Sequence, residues 1–322
     1  MAIKKIAVLT SGGDAPGMNA AVRAVVRTAL GKGVEVYGVY RGYNGLINGD
    51  LVPLNVRSVS DIIHRGGTAL YTARSPEFCT EEGMQKAVAT CKEYGIEGLV
   101  VAGGDGSFRG AQDLTEHGIP CIGLPCTIDN DIACCEQTIG YDTALNTCMG
   151  MIDKLRDTSQ SHDRCSVVEV MGRHAGYLAL NVGIAVGATS ILVPEVPYDF
   201  DRDILQRMKK TSATGKKHFV IIVAEGVGHV VEFAERIERE TGVESRATIL
   251  GHVQRGGDPT VRDRVLASRM GHCAVELLLA GKSNRVVTIQ GNRVMDYDIS
   301  EALRMKKPFD IDLFRIAHDI SI

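Results

Sequence analysis

The sequence predicts an α/β protein whose sheets are mostly parallel. Short apolar runs alternate with amphipathic helical patterns along the 322 residues, and this alternation is typical of α/β layers. The runs are continuous in Val, Ile and Leu, as expected for parallel strands buried on both faces. Glycine, at 36 residues, clusters directly after several runs, which predicts tight loops at the strand ends.

The predicted elements follow one another from the N-terminus, each from its own local pattern. Strands are predicted where apolar residues run together, and helices where they recur at the helical period. In chain order, the predicted strands are Ile6–Leu9, Val34–Tyr40, Gly98–Ala102, Cys121–Leu124, Ser166–Val170, Ile191–Val193 and Phe219–Ala224, and the predicted helices include Asn19–Leu30, Glu81–Tyr94 and Val275–Ala280.

Composition limits the classes of partner. The net charge is −3 and no basic run is present, so we expect no nucleic-acid surface. The uncharged stretch Ala175–Pro194 is diluted by Asn181 and Thr189, which favours a buried helix and strand over a membrane span. The nine cysteines form no CxxC pair and no signal peptide is evident, which indicates reduced thiols and a cytoplasmic location.

Three unusual loops follow predicted strands, where parallel sheets usually bind ligands. The first, Ser11–Asn19, is rich in glycine and precedes a helix, so its N–H groups can approach an anion. Neither G-x-G-x-x-G nor G-x-x-x-x-G-K-[ST] occurs here, which argues against a dinucleotide-binding dehydrogenase and a Walker loop. A phosphate site and a tight structural turn both remain open for this loop.

The second loop, Gly103–Ser107, holds Asp105 between glycines. A single carboxylate of this kind suits Mg²⁺, which also takes oxygens from substrate phosphates. The alternative is an ordinary Asp-Gly turn.

The third loop, Pro125–Asp131, carries Thr127, Asp129 and Asp131 at alternate positions. In an extended segment these three side chains would face one side. A positioned Asp can accept the proton of a hydroxyl that receives a phosphoryl group. An Asx-rich structural loop is the competing interpretation.

Arginines accompany these loops, and a guanidinium group can bond two phosphate oxygens at once. Any one of them alone is more typical of a solvated surface. The candidates are Arg74, Arg164, Arg173, Arg246 and Arg255.

Five motifs in this order resemble the bacterial ATP-dependent 6-phosphofructokinases, and the resemblance covers essentially the whole chain. They are SGGDAPGMN at 11–19, GGDGS at 103–107, TIDND at 127–131, MGRHAG at 171–176 and GHVQRGG at 251–257. The resemblance implies two Rossmann-like three-layer domains with the active site in the cleft between them. The larger, nucleotide-binding domain would take 1–140 and 254–304, and the smaller, sugar-phosphate-binding domain 141–253 and 305–322.

The same resemblance implies a set of site residues. Asp129 would be the base, Thr127 and Arg173 would stabilise the transferring phosphoryl group, and Asp131 would lie beside the base. ATP would contact Gly13, Tyr43, Arg74, Ser75, Gly104, Asp105, Gly106 and Ser107, with Asp105 also at Mg²⁺. Fructose 6-phosphate would contact Thr127, Asp129, Arg164, Met171, Gly172, Arg173, Glu225, Arg246, His252 and Arg255.

Two further implications concern assembly and regulation. Arg164 and Arg246 match residues that reach a neighbouring subunit's sugar pocket, which implies a homotetramer. A second, effector-binding site would use Arg23, Arg27, Arg57, Arg156, Gly187, Lys216 and His218. Val56, Thr189 and Thr214 depart from the charged residues common in relatives at this site, so we expect weak regulation by ADP and phosphoenolpyruvate.

Two alternative functions share the fold. Pyrophosphate-dependent relatives typically carry Asp at the position of Gly106 and Lys at that of Cys126, and neither is present here. Many ATP-dependent relatives have Gly at position 126, and Phe and Arg where Ser75 and Cys79 stand, so the departures lie on the nucleotide side. A non-catalytic sugar-phosphate sensor would not need Thr127, Asp129 and Arg173 together.

Overall fold

The computed structural model describes residues 3–321, and the chain divides into two compact units. Unit 1 contains the residues up to Ile128, then Ile132–Thr143 and Arg255–Lys307. Unit 2 contains Asp129–Asp131, Ala144–Gln254 and the residues from Pro308 onward. The predicted domain division stays a prediction, because compactness alone does not show that each unit folds as a domain.

Strands and helices alternate through most of the chain. The strands are β1 (Lys5–Thr10), β2 (Glu35–Val39), β3 (Leu51–Leu54), β4 (Leu99–Gly103), β5 (Cys121–Pro125), β6 (Cys165–Val170), β7 (Ser190–Leu192), β8 (Phe219–Ala224), β9 (Ser245–Ile249), β10 (Arg285–Gln290) and β11 (Arg293–Asp298). The helices are α1 (Met18–Gly31), α2 (Gly42–Asn48), α3 (Glu81–Tyr94), α4 (Asp105–Glu116), α5 (Tyr141–Ser161), α6 (Tyr177–Ala185), α7 (Arg207–Ser212), α8 (Val230–Thr241), α9 (Val261–Leu279), α10 (Ile299–Arg304) and α11 (Ile311–Asp319).

Unit 1 is built on a seven-stranded sheet of order β11-β10-β5-β4-β1-β2-β3. The five inner strands pair in parallel, whereas the edge strands β3 and β11 are antiparallel to their neighbours. The inner strands are buried because their side chains are apolar on both faces, as in the run Ile6–Leu9 at 0% exposure. Helices α1 and α9 pack against each other, and α4 packs against β4 and β5.

Unit 2 is built on a four-stranded parallel sheet of order β7-β8-β6-β9. A core of apolar side chains from β6, β8 and α8 includes Val167, Ile221, Phe233 and Ile237. The π-helical turn Asp201–Gln206 adds Ile204 to the same core.

The predicted α/β class with mostly parallel sheets is confirmed, and the seven predicted strands lie within one residue of the observed bounds. Four strands were not predicted. Two of them, β3 and β11, are edge strands in which polar, exposed or Pro residues interrupt the apolar run, so the signal of a doubly buried strand is missing. The predicted helix Val275–Ala280 is the end of the much longer α9. Among the described residues, no helix is both long and apolar enough to span a bilayer.

Candidate active site

The three predicted ligand loops begin side by side at the sheet of unit 1. They follow β1, β4 and β5, which are consecutive in the sheet and parallel, so their carboxyl ends share one edge. Main-chain hydrogen bonds join the loops directly. The N–H of Ser11 donates to the carbonyl of Ala102 at 2.9 Å, and the N–H of Cys126 donates to that of Gly103 at 2.9 Å. The three loops are therefore neighbours at the carboxyl ends of these strands.

The first loop is held against the side chain of Arg255. The Nη1 of Arg255 donates to the carbonyl of Asp14 at 3.2 Å. A Cβ at Gly13 would lie 2.7 Å from the same nitrogen, so a larger residue there would displace the guanidinium group. The sequence prediction assigns Arg255 to the sugar phosphate, and the structure shows its guanidinium group on the glycine-rich loop of unit 1.

The second loop forms the first turn of α4. Gly104 precedes the helix, Asp105 is its first residue, and the carboxylate is half-buried. N–H groups in a first helical turn have no acceptor within the helix and carry a partial positive charge, which suits phosphate oxygens. A Cβ at Gly106 would meet no atom within 4 Å, so the space beside Asp105 is open.

Tyr43 contacts this turn from the protein interior. Its side chain is buried at 5% exposure, and its hydroxyl donates to the carbonyl of Ser107. Its ring stacks on Phe78, with 4.0 Å between the ring centroids. Burial, then the neighbouring Cys121 and Asp113, raises the pKa of Tyr43 well above its usual value, so the phenol stays a hydrogen-bond donor.

The segment around Arg74 borders the first loop. The hydroxyl of Thr72 donates to the carbonyl of Gly12 at 2.7 Å, which ties the segment to the loop. Arg74 is exposed, and the hydroxyl of Ser75 donates to Oδ1 of Asn44 at 3.3 Å. The exposed cation Arg74 therefore lies two residues from the point where this segment contacts the first loop.

A magnesium site can be judged from the side chains present. Within residues 3–321, no group of three or more His, Cys, Asp or Glu side chains can hold a metal ion. Mg²⁺ usually binds one or two carboxylates and completes its shell with water and substrate phosphates. Asp105, with open space beside Gly106, fits an ion that arrives with a nucleotide, and it does not fit a cage made by protein ligands alone.

The third loop differs from the extended segment that the sequence predicted. Strand β5 ends at Pro125, a bend follows at Ile128–Asp129, and Asn130 has a left-handed φ of 52°. The premise that Thr127, Asp129 and Asp131 alternate along one extended face is therefore wrong. The chain turns here, so Thr127 belongs to unit 1 while Asp129–Asp131 belong to unit 2. Thr127 and Asp129 are buried and Asp131 is half-buried.

In unit 2, the MGRHAG segment after β6 is tied to two side chains. The N–H of Arg173 donates to Oε1 of Glu225 at 2.7 Å, and Arg173 itself has a left-handed φ of 59° with an exposed side chain. The N–H of Met171 donates to Oε1 of Gln254 at 3.0 Å.

Gln254 was missed by sequence reasoning although it lies inside a recognised motif. It is fully buried, and its amide also donates to the carbonyl of Gly251 at 3.0 Å. It therefore connects the Met171 turn to the segment that carries His252, whose side chain is exposed.

Arg164 and Arg246 share one carboxylate, that of Glu244. The Nε of Arg164 lies 2.7 Å from Oε2 of Glu244, and Arg246 pairs with the other oxygen. Hydrogen bonding by Arg164 is the main cause that lowers the pKa of Glu244, with the charges of Arg164 and Arg246 adding to it. Strands β6 and β9 are parallel neighbours, which brings the two arginines to one end of the sheet.

Part of the predicted effector site is a cluster of bases in unit 2. Arg156, Lys216 and His218 are half-buried, and burial followed by the charge of Arg156 lowers the pKa of Lys216. The Nη2 of Arg156 has no hydrogen-bond partner among the described residues. Gly187 is exposed in the same unit, while Arg23 and Arg27 lie on α1 of unit 1, and Arg57 follows β3 there.

Glycine-rich turns at the ends of parallel strands, a carboxylate at a helix N-terminus and nearby arginines are typical of α/β proteins that bind phosphate groups. Comparison with known proteins gives the family. The family model described as Phosphofructokinase matches residues 5–278. The chain belongs to the phosphofructokinase family.

Two curated relatives and two solved structures illustrate the similarity. The proteins from Bacillus licheniformis and Bacillus subtilis, both named ATP-dependent 6-phosphofructokinase, are 60% and 59% identical over 99% of this chain and 100% of their own length. A phosphofructokinase structure from Saccharomyces cerevisiae matches 99% of this chain at 37% identity with a TM-score of 0.89, and this chain spans 48% of that one. A pyrophosphate-dependent phosphofructokinase structure from Marinobacter aquaeolei matches 96% of this chain and 86% of that one at 23% identity with a TM-score of 0.86, a likeness of fold alone.

Proposed function

We propose that this chain is an ATP-dependent 6-phosphofructokinase, which transfers the γ-phosphoryl group of ATP to the 1-hydroxyl of fructose 6-phosphate. The full-length similarity to the Bacillus enzymes supports this activity. The structural observation that favours ATP over pyrophosphate as the phosphoryl donor is the open space at Gly106, where a Cβ would meet nothing within 4 Å. A nucleotide needs this space beyond its phosphates, and pyrophosphate does not.

Cys126 supports the same choice of donor. It is buried at 1% exposure, and burial raises the pKa of its thiol, so the side chain is neutral. A lysine at position 126 would add a cation beside the second and third loops, whereas the thiol of Cys126 adds no charge.

Unit 1 binds the nucleotide in this proposal. The first turn of α4 and the glycine-rich loop accept phosphate oxygens, with Gly13, Arg74, Ser75 and Gly104–Ser107 around the nucleotide. Asp105 holds Mg²⁺, which when bound offsets negative charge on the phosphates. Tyr43 acts by supporting the turn, since its hydroxyl is already bonded to Ser107.

Asp129 takes the proton of the sugar hydroxyl while the hydroxyl oxygen forms its bond to the γ-phosphorus. The bond from that phosphorus to the bridging β–γ oxygen breaks, and ADP leaves with the electron pair. Thr127 and Arg173 offset the charge that develops on the transferring group, and Asp131 lies beside the base.

The sugar phosphate is bound by Met171, Gly172, Glu225, His252 and Arg255. Arg164 and Arg246 serve the pocket of a neighbouring subunit, and the active protein is a homotetramer.

One coupled assay tests the donor. Fructose 6-phosphate with ATP should give turnover at least tenfold above that with pyrophosphate, and Gly106→Asp should raise the KM for ATP more than Gly106→Ala does. Faster turnover with pyrophosphate would overturn the ATP assignment, and no turnover with either donor would favour a non-catalytic sugar-phosphate sensor.

A further inference from the structure

Asp263, near the start of α9, is a fully buried carboxylate that no role above uses. Its Oδ1 accepts from the N–H of Gly140 at 3.0 Å. Its Oδ2 accepts from the N–H of Thr143 at 2.8 Å and from the Thr143 hydroxyl at 2.6 Å. Three donors therefore converge on one buried side chain, and they all come from the segment that begins α5.

That segment is paired with the catalytic loop. Ile139 bridges Cys126 as a parallel partner, and the N–H of Ile139 donates to the carbonyl of Pro125 at 2.9 Å. The N–H of Thr127 in turn donates to the carbonyl of Ile139 at 3.1 Å. The Thr138 hydroxyl donates to the carbonyl of Thr127 at 2.7 Å. Both main-chain polar groups of Thr127 are thus held by the two residues that precede Gly140.

The glycine-rich loop packs against the same place. Gly140 has a left-handed φ of 102°, and a Cβ there would lie 2.7 Å from the Cβ of Ala15. A Cβ at Gly17 would lie 2.8 Å from Cγ2 of Ile139 and 3.6 Å from the Cβ of Asp263. Position 140 therefore needs glycine both for its conformation and for this close approach.

A second layer of polar contacts fixes Asp263. The hydroxyl of Thr260 accepts from the N–H of Asp263 at 3.3 Å and donates to Oδ2 of Asp142 at 2.6 Å. The N–H of Thr260 donates to the Thr143 hydroxyl at 3.0 Å. The start of α9 and the start of α5 are therefore joined by a network of side-chain hydrogen bonds.

We propose that Asp263 is a positioning residue that holds Thr127 in place for phosphoryl transfer, acting through Gly140 and Ile139. Asp263, Gly140, Ile139 and Thr127, which are linked in this order, all belong to unit 1. The inference rests on the proposed function, because the position of Thr127 matters only if Thr127 stabilises the transferring group.

Asp263→Asn tests this with little change in volume. An amide cannot accept from all three donors, since its NH₂ group must face the N–H of Gly140 or of Thr143. We expect kcat to fall roughly ten- to hundredfold, the scale of a small displacement of a reacting group, with the KM for both substrates nearly unchanged. Asp298→Asn is the matched control, because Asp298 caps α10 in the same unit by accepting from the N–H groups of Ser300 and Glu301. It should lose stability without losing kcat.

A double-mutant cycle separates positioning from general damage to the fold. If Asp263 acts through Thr127, Asp263→Asn should cost much less in a Thr127→Ala background than in the wild type. Equal costs in both backgrounds would overturn the proposal. If Asp263→Asn fails to fold, Thr143→Val takes its place in the same cycle, because it removes the hydroxyl that donates to Asp263 and accepts from the N–H of Thr260. If the wild type is active and the effects of the two substitutions are additive, only this inference is refuted. If the wild type is inactive, the proposed function itself is refuted.

Discussion

The Tyr43 hydroxyl donates a hydrogen bond to the main-chain carbonyl of Ser107, with 2.5 Å between the two oxygens. The bond connects α2 to the first turn of α4, the turn that carries Asp105. Because Tyr43 is buried and stacked on Phe78, this contact fixes the shape of the turn from its protein side. Tyr43 therefore influences nucleotide binding through the main chain.

Tyr43→Phe should raise the KM for ATP about two- to tenfold, since one neutral hydrogen bond is worth about 0.5–1.5 kcal/mol. The KM for fructose 6-phosphate should not change. Tyr37→Phe is the matched control, because Tyr37 lies on strand β2 of the same unit with its ring packed edge-on against Tyr94. Steady-state kinetics measure both KM values. An equal change in the two would contradict a role of Tyr43 that is specific to the first turn of α4 and the nucleotide.

Asp129→Asn should lower kcat on the order of a hundredfold or more while sugar binding persists, because a positioned base commonly contributes that much. Asp131→Asn, in the same loop but half-buried, should cost less. Turnover is measured with the coupled assay and sugar affinity by calorimetry. Near-normal turnover of purified Asp129→Asn would remove this residue from the role of base.

Subunit sharing is tested by mixing two inactive variants. Arg246→Ala removes the group offered to a neighbour, and Asp129→Asn removes the base of the recipient pocket. Hybrid tetramers regain some complete sites, so the mixture should be more active than either variant alone. No gain on mixing, or a fully active monomer at low concentration, would contradict shared sites.

The cysteines should differ sharply in reactivity. Cys79 is exposed, Cys273 is partly buried and Cys126 is buried. Burial also raises the pKa of Cys91 and Cys148 to about 12, which keeps these thiols protonated. We expect iodoacetamide at mildly alkaline pH to label Cys79 first and Cys126 only after unfolding, as read by peptide mass spectrometry. Labelling of Cys126 in the native protein at the rate of Cys79 would contradict the buried loop.

Sequence patterns predicted the fold well where one local signal dominates. The helix Glu81–Tyr94 has its predicted bounds because Thr80 caps its start, accepting from the N–H of Gly83, and left-handed Gly95 ends it. The strand Phe219–Ala224 is apolar throughout and fully buried, so its bounds also match. The phosphofructokinase family was predicted correctly from five motifs in order, and the α/β class from the alternation of apolar runs with helical patterns.

The rest of the site depends on contacts between distant residues. The bend at Ile128–Asp129 and the left-handed Asn130 have no local signal as strong as a glycine, so the extended interpretation failed. Asp263 lies 120 residues from Thr143, and nothing near it in the sequence marks it as the acceptor of three donors. The two oxygens of Glu244 hold Arg164 and Arg246 because β6 and β9 pair, which only the topology shows.

The cluster of Arg156, Lys216 and His218 bears on regulation by anionic effectors. Burial, then the charges of Lys216 and Arg156, lowers the pKa of His218. The cations therefore repel one another without a bound anion, which favours binding of a phosphate-sized group. Thr189, where relatives carry a Glu that helps hold an effector's metal, is fully buried and supplies no carboxylate. Together with Val56 and Thr214 in place of cations, this removes charge-assisted contacts worth about 1.5–3 kcal/mol each.

An effector shifts an equilibrium only by its different affinity for the two states, so we expect ADP and phosphoenolpyruvate to move the half-saturation for fructose 6-phosphate little. Inorganic phosphate should still bind, and the cluster should hold it more tightly as pH falls, because the anion prefers protonated His218 and the lowered pKa of His218 keeps this ring mostly neutral near neutral pH. His218→Gln should remove this pH dependence and leave kcat unchanged. Sugar-saturation curves with each effector, and phosphate titrations followed by calorimetry at several pH values, measure both effects. A large shift by either effector would show that the remaining arginines compensate for the three replacements.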